Sequence, residues 1–559
     1  MFKNKTIITL FLITLLGGVL RFFMLDKFPV SPNWDEVSHG YNAFSILTTG
    51  KDEWGIKLPL IFRAFGDFKL PLYIYLTSIS VAVFGLNTFA IRFVSALAGT
   101  LAIPGIFLLT GVLFPEKKLQ IKKLSFSLPI ISSIFLAVLP WHFFISHPAL
   151  EANLALTFII FGGYFLIKGI EMTKNFLPAA ILFGLSLHTY NTARVFIPLL
   201  LISFVLLYYK KLIITRWAVI SFLIIIFFGG IVAFQMATGA GTARYGKLNI
   251  ITESTAYTLG QKRTESNLPP LVAKLVYNRP LFFIQTAIAN YFNYFSPGFF
   301  NQSLGAQTQF AIPGKNLIGL PLMLLFLIGF VYLVRHPKDK AHQFIFIWFA
   351  LSPVAAALTV DPPQALRPNP MIPAIVIISG LGLLYLLEKI STSTKIIITS
   401  VFVITILLNF CLYLNDFFVT YPKTYSEAWQ YGYQELYQYL STQNDYDKFF
   451  ITKRYGEPHI FYAFYNKLNP EILQDKNITT RFFQTGWYWT DKIDNYYFVN
   501  EFDTPNTEIK TLTLEHGEII DTKNSLLVTT VNHIPKNSEV IKVINFLDGY
   551  PAFTIVKMK

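Results

Sequence analysis

The sequence predicts a polytopic α-helical membrane protein, with about eleven transmembrane helices, two interfacial helices in the first outer loop and a small C-terminal α+β exterior domain. Three observations carry that reading. Of 559 residues, 53% are hydrophobic and only 14% are charged, against about 25% charged in a soluble protein; the mean hydropathy is +0.48. Apolar runs that approach or reach crossing length recur through the first three quarters of the chain. From Asn415 to Lys559 the character changes to a polar stretch rich in Tyr, Asn and Asp, with no apolar run long enough to span.

The elements follow in order. The basic start Met1–Lys5 precedes an apolar run from Thr6 to Leu25 with no small-x-small cleavage site after it, so it reads as an uncleaved first span with a cytoplasmic N-terminus. Further runs fall near 90–113, 124–142, 152–170, 176–190, 194–209, 216–236, 316–334, 342–359, 370–387 and 396–414. The run Leu70–Leu86 is ambiguous, and charge decides it. If it does not cross, Lys117, Lys118, Lys122 and Lys123, then Lys168 and Lys174, Lys210, Lys211 and Arg216, Arg335, Lys338 and Lys340, and Lys389 and Lys395 all lie in inner loops. If it crosses, every one of these clusters moves outward, against the preference for basic cytoplasmic loops. It is therefore expected to lie in the interface, with Tyr41–Leu47 as a second, shorter interfacial helix. The domain division is 1–414, the membrane module, and 415–559, the extracytoplasmic domain. In the latter, Ser426–Leu440 reads as an amphipathic helix, and Lys448–Thr452, Tyr496–Val499, Glu539–Asn545 and Ala552–Lys557 as strands. The single cysteine, Cys411, reads as a small core residue and excludes an intramolecular disulfide. The formal charge of +14 belongs to the inner loops rather than to a nucleic-acid partner. The implied location is the plasma membrane.

Sorted by side, the unusual polar residues gather outside. They are Asp35, Glu36 and His39; Arg63, Asp67, Lys69 and Arg92; Trp141, His142, His147 and Glu151; His188, Tyr190, Asn191 and Arg194; then Arg244, Asp361, Gln364 and Arg367. Polar groups at span ends are costly unless they face a cavity or a partner. Their chemistry suits an anionic lipid donor. Arg and Lys bind phosphate, and carboxylates serve as a general base or hold a divalent metal. His147 and Glu151, four apart, would meet on one helix face. His188–Arg194 reads as a re-entrant or site-lining stretch, and Asp361–Arg367 as a polar turn or a phosphate clamp.

Three segments carry a family resemblance: Asp35-Glu36 after the first span, Phe-Lys-Leu-Pro-Leu-Tyr at 68–73, and Phe-Ala-Ile-Arg-Phe-Val-Ser-Ala-Leu-Ala-Gly at 89–99. Together they resemble the first-loop signature of GT-C fold glycosyltransferases, nearest to the protein O-mannosyltransferases and lipid A aminoarabinose transferases (family 39-like). Residues 140–153 look like the second outer loop of the bacterial branch. The likeness covers about residues 1–415. It departs from the family pattern at Leu70, where a proline is common, and at His147, where Arg is expected.

The resemblance implies transfer of a single sugar from a polyprenyl-phosphate donor to an extracytoplasmic acceptor, a protein, glycolipid or cell-envelope glycan, with inversion. It casts Asp35 as the base or metal-side carboxylate, Glu36 as its companion, and Lys69 and Arg92 on the lipid phosphate. Arg194 and Arg367 are further phosphate candidates. His39, His142, His147, Glu151, His188, Tyr190, Asn191 and Asp361 would line the site, and a divalent metal would sit at Asp35 and Glu151. A transporter or flippase of lipid-linked sugars is the alternative, but it predicts polar groups near mid-span and an inverted repeat, and neither is visible. A non-catalytic membrane scaffold is a third reading. An oligosaccharyltransferase would carry Trp-Trp-Asp-x-Gly, to which Trp487–Asp491 is only superficially close.

Overall fold

The computed structural model describes residues 2–121, 124–239, 246, 249–303, 307–360, 363–388, 390–501 and 507–559. The chain divides into two compact units. The first comprises Met1–Leu20, Ala98–Ile145 and Glu151–Tyr413; the second comprises Arg21–Leu97, Ser146–Leu150 and Leu414–Lys559. The seam at Leu414 lies where the composition shifts, but residues 21–97 and 146–150 join the C-terminal region and not the helical unit.

The first unit is helical. Each of the eleven apolar runs coincides with helix, and among the described residues six helices are long and apolar enough to cross a membrane. The remaining runs are short or broken. Leu128–Ala137 and Pro140–Ile145 divide one run at a proline, and Lys340–Leu351 and Val354–Ala357 divide another before and after Pro353, as expected where proline removes a backbone donor. The polar stretch between the runs at 216–236 and 316–334 carries helices Glu253–Glu265, Pro270–Val276 and Arg279–Asn293. On the last of these Ile284, Ile288 and Phe292 share one exposed apolar face. Cys411 is exposed, not a core residue. Its helix, Thr392–Asn415, turns most of its apolar surface outward, as a lipid-facing helix does.

Helices Leu320–Arg335 and Met371–Leu387 cross at backbone contact. A Cβ added at Gly329 would collide with the Ile378 carbonyl oxygen, and one at Gly382 with that of Leu325. Small residues let membrane helices approach in this way, because dispersion rather than hydrophobic transfer drives their association.

The second unit holds two helices of the segment that follows α1 (Phe2–Phe22): α2 (Trp34–Thr49) and α3 (Pro71–Phe84). α2 is much longer than the Tyr41–Leu47 stretch and includes the acidic pair. α3 matches the 70–86 run and begins with Pro71 at its first position, where a missing N–H costs nothing. A short hairpin of β1 (Phe62–Arg63) and β2 (Phe68–Lys69) joins them. α4 (Thr88–Leu113) follows.

The C-terminal region forms a seven-stranded mixed sheet. Its spatial order is Ser538–Asn545, Pro551–Met558, Ser525–Thr529, Lys448–Thr452, Tyr496–Val499, Trp487–Ile493 and Thr479–Gln484. Lys448–Thr452 is parallel to both of its neighbours, and the remaining pairings are antiparallel. All four expected strands are present. The expected helix from Ser426 is shorter, Tyr433–Leu440, because Gly432 interrupts it at φ +104°.

Substituting Gly329→Leu should destabilise the helical unit by about 2 kcal/mol or more through overpacking, whereas Gly230→Ala, in open space, should change it little. Thermal unfolding of the detergent-solubilised protein compares the two.

Candidate functional site

The acidic pair lies on the first turn of α2. Asn33 caps the helix: its side chain accepts from the Glu36 N–H at 3.0 Å, and Glu36 Oε2 accepts from the Asn33 N–H at 3.1 Å, a closed capping box. The helix N-terminus favours both carboxylates. Adjacent residues point about 100° apart on a helix, so the two carboxylates meet different surroundings.

Glu36 turns inward onto Arg92. Arg92 Nε donates to Glu36 Oε1 at 2.9 Å and Nη2 to Oε2 at 3.2 Å. The other guanidinium N–H groups donate to the carbonyls of Leu25 (3.2 Å), Pro29 (2.8 Å) and Ser31 (2.9 Å). The Ala149 N–H donates to Glu36 Oε1 at 2.7 Å. The side chains are 1% and 0% exposed. This corrects the roles expected from the family resemblance. Arg92 has no donor left for a lipid phosphate, since all five are used, and Glu36 is its structural counter-ion, not a catalytic companion of Asp35.

Asp35 turns the other way. Lys69 Nζ lies 2.8 Å from Asp35 Oδ1, with the lysine side chain 8% exposed and the aspartate 42%. Lys69 ends β2 one residue before the cap of α3, and the β1–β2 hairpin sets its reach. Trp34, beside Asp35, is fixed by the C-terminal region. Its N–H donates to Gln430 Oε1 at 2.8 Å, and Gln430 Nε2 donates to the Tyr455 carbonyl. The Trp34 ring lies against Gly456, at φ +108°, where a Cβ would overlap it. Phe65, in the hairpin turn, packs between Trp34 (6.2 Å) and Trp487 (6.5 Å, stacked). Trp487 Nε1 donates to Glu457 Oε1 at 2.5 Å.

The other expected residues fall as follows. His39 is buried in α2 with its ring 5.3 Å from that of Tyr73. His147 is buried in the 146–150 segment, 4.9 Å from the Phe417 ring. The helix after it starts only at Glu151, so His147 and Glu151 do not share a helix face, and they belong to different units. In the helical unit His142 is fully buried in the short helix Pro140–Ile145. His188 lies within hydrogen-bonding distance of the Phe228 carbonyl, at 3.2 Å. Tyr190 and Asn191 lie in a tight turn between Phe176–Leu187 and Ala193–Tyr208, not in a re-entrant segment. Arg194 donates to the Leu187 carbonyl and to Gln235, and Arg367 to Thr359 and, with the amide suitably oriented, to Gln364. Asp361 and Arg244 lie outside the described residues. Of the two residues expected to hold a metal, Asp35 belongs to the second unit and Glu151 to the first; Asp35 faces the Lys69 ammonium group, and no cluster of three or more His, Cys, Asp or Glu side chains with metal-holding geometry occurs among the described residues.

The sequence alone does not point to Gln430, Gly456 and Glu457, all remote in the chain from the acidic pair, and it singles out Trp487 only for a different motif. One further signal was readable: Asn33-x-x-Glu36 is a capping-box pattern, which assigns Glu36 a backbone partner. Asp491, in the stretch superficially close to Trp-Trp-Asp-x-Gly, is a buried structural carboxylate paired with Lys453 at 2.6 Å and His516 at 2.7 Å.

Two polar groups behind the aromatic cluster are shifted by burial. Burial pushes Glu457 up to about 7, opposed by the Trp487 hydrogen bond and Lys453 and aided by Glu53 and Glu515. Burial also pushes His459, 3.4 Å from Glu457, well below the usual histidine range, so that contact is not an ion pair at neutral pH.

Comparison with protein-family models finds no match, and comparison with curated proteins finds none. Solved structures are similar. ArnT from Cupriavidus metallidurans in the apo state superposes with a TM-score of 0.55 at 10% identity, covering 100% of this chain and 98% of that one. The same protein bound to undecaprenyl phosphate gives 0.54 at 11%, covering 98% and 97%. The apo oligosaccharyltransferase of Archaeoglobus fulgidus gives 0.45 at 12% identity; the match covers 83% of this chain and 64% of that one, less than two thirds of its length. At such identities the likeness to ArnT is one of fold, and it is the GT-C glycosyltransferase fold that the first-loop residues resemble.

Arg92→Lys should lower stability by about 3 kcal/mol, the usual cost of breaking a buried pair, with no rescue by charge alone; chemical denaturation of wild type and variant measures it. Glu457 has a folded-state value above its unfolded one, so the unfolded chain binds fewer protons between pH about 4.5 and about 7. Stability should therefore fall as pH rises through that window, and Glu457→Gln should flatten the fall in a pH series of melting temperatures.

Proposed function

We propose that the protein is an integral-membrane glycosyltransferase that moves one sugar from a polyprenyl-phosphate donor to an acceptor outside the cytoplasm. The observation that carries this reading is the Asp35–Lys69 pair, a half-exposed carboxylate against a nearly buried ammonium at the head of α2. The fold shared with ArnT supports it, as does the undecaprenyl phosphate bound in one ArnT structure. The basic inner loops support a cytoplasmic N-terminus and an exterior C-terminal region.

In this mechanism the acceptor hydroxyl attacks the anomeric carbon. The new C–O bond forms as the bond from that carbon to the phosphate oxygen breaks, with inversion. The hydroxyl proton passes to Asp35, which is open enough for an acceptor to reach. The bonding pair leaves with polyprenyl phosphate, whose growing charge Lys69 faces from a preorganised position. Lys69 therefore has two roles: it holds Asp35 before the donor arrives and meets the phosphate afterwards. Glu36 and Arg92 take no part in the chemistry and hold the turn that presents Asp35. The sugar and the acceptor are set by surfaces beyond these two side chains.

Asp35→Asn should reduce transfer from polyprenyl-phosphate sugars in membranes by a thousandfold or more while leaving the melting temperature within about 2 °C. Lys69→Ala should weaken both donor binding and turnover. Mass analysis of the products reads both, and unchanged transfer by Asp35→Asn would remove the catalytic assignment.

A further inference from the structure

The β1–β2 hairpin carries a second cation that the proposed chemistry does not use. In the register of the hairpin Phe62 pairs with Lys69, and Arg63 with Phe68. Side chains alternate along a strand, so Arg63 leaves the face opposite Lys69. There its guanidinium carbon lies 4.9 Å from the centre of the Trp54 ring and 4.7 Å from that of Tyr488, with the two rings 5.5 Å apart. Tyr488 is locked there by its backbone, whose N–H donates to the Phe65 carbonyl at 2.6 Å. Arg481 leans on the same Trp54 ring, at 4.3 Å. The two arginines then differ. Arg481 donates to Glu53 Oε2 and to the Glu53 carbonyl, both at 3.0 Å, and is neutralised. Arg63 has no carboxylate and no hydrogen-bond acceptor among the described residues, and its Nε is buried.

A guanidinium held against aromatic faces keeps its N–H edges free in its own plane, and this is the geometry that binds phosphate or carboxylate through two parallel hydrogen bonds. Local charge points the same way. Arg481 is taken up by Glu53, whereas the half-buried Arg63 makes no ion pair among the described residues. Beside it the Tyr488 ring is half-buried, and the Phe483 ring, across the strand pair from Tyr488 at 4.7 Å, is 61% exposed. Such ring faces suit the apolar face of a sugar.

We propose that Arg63, cradled by Trp54 and Tyr488, is a binding site for an anionic group of the acceptor, a phosphate or a carboxylate on a sugar-bearing molecule. This rests on the reading of Asp35 and Lys69 as the transfer centre. The opposite faces of one hairpin then divide the work, with Lys69 toward the donor phosphate and Arg63 toward the acceptor anion.

The test is a binding experiment without turnover, on the full chain in detergent or nanodiscs. Saturation-transfer NMR titrations use glycerol phosphate, glucuronate and the uncharged methyl glucoside as probes. The unaltered protein should bind at least one charged probe more tightly than methyl glucoside, and the tighter of the two charged probes identifies phosphate or carboxylate as the group recognised. Arg63→Gln should weaken that probe tenfold or more and leave polyprenyl-phosphate binding as it was. Tyr488→Leu, which keeps the cation but removes half its cradle, should weaken the same probe if Arg63→Gln fails to fold. Three outcomes overturn the proposal: neither charged probe binds the unaltered protein, the folded variants bind it equally well, or Arg63→Gln loses the polyprenyl phosphate instead. Because no sugar is transferred, a failure of Asp35→Asn to abolish transfer would overturn the proposed activity and leave this binding result readable by itself.

Discussion

Two full charges lie almost completely out of solvent where Glu36 meets Arg92. Removing such a pair from water is expensive, and the pair is tolerated only when every remaining donor and acceptor is met. Here they are met by the chain itself. The carbonyls of Leu25, Pro29 and Ser31, the N–H of Asn33 and the N–H of Ala149 all converge on the two side chains. One ion pair thereby ties together the turn after α1, the first turn of α2, the start of α4 and the short segment 146–150. Two of them, the turn after α1 and the segment 146–150, have no regular structure to hold them. The geometry of Asp35 depends on this latch, because Asp35 occupies the next position on the same helical turn.

Asp35 shows how one residue of separation on a helix divides a buried carboxylate from an open one. With about 100° between successive side chains, Glu36 can be fully consumed inward while Asp35 faces the β1–β2 hairpin. The hairpin then sets both cations by strand alternation, Lys69 on one face and Arg63 on the other. Adjacent carboxylates on a flexible loop would have had no such separation, and both would have competed for the same cation.

The C-terminal region acts on this arrangement through aromatic packing and backbone hydrogen bonds rather than through charged catalytic groups. Gln430 fixes the backbone of Trp34, Gly456 admits the Trp34 ring, and Tyr488 pins the turn of the hairpin. Behind Trp487, burial holds His459 neutral and pushes Glu457 up to about 7, so the packing behind the site carries a pH sensitivity that the exposed pair does not explain. In the helical unit, the glycine crossing at Gly329 and Gly382 has the equivalent function, setting backbone distance where side chains cannot.

The sequence by itself determined the helical membrane character, the position of α3 and the strands at 448–452 and 496–499, and it singled out Asp35 and Lys69, which the structure pairs at 2.8 Å. These rest on signals that are local or summed along the chain: apolar run length, the sign of loop charge, strand propensity, and a carboxylate followed by a lysine ahead of a proline-led helix. Only the tertiary structure decided which of the outer cations are available. Arg92 sits near the start of its helix, as an anchor or a phosphate ligand would, and nothing in its neighbourhood in sequence names Glu36, fifty-six residues away, as the group that consumes it. The same holds for Arg63, whose solitude is visible only once Trp54, Tyr488 and Arg481 are brought beside it. A charge declares its sign in the sequence, but whether it is spent depends on partners supplied from other parts of the chain, and only packing brings those together.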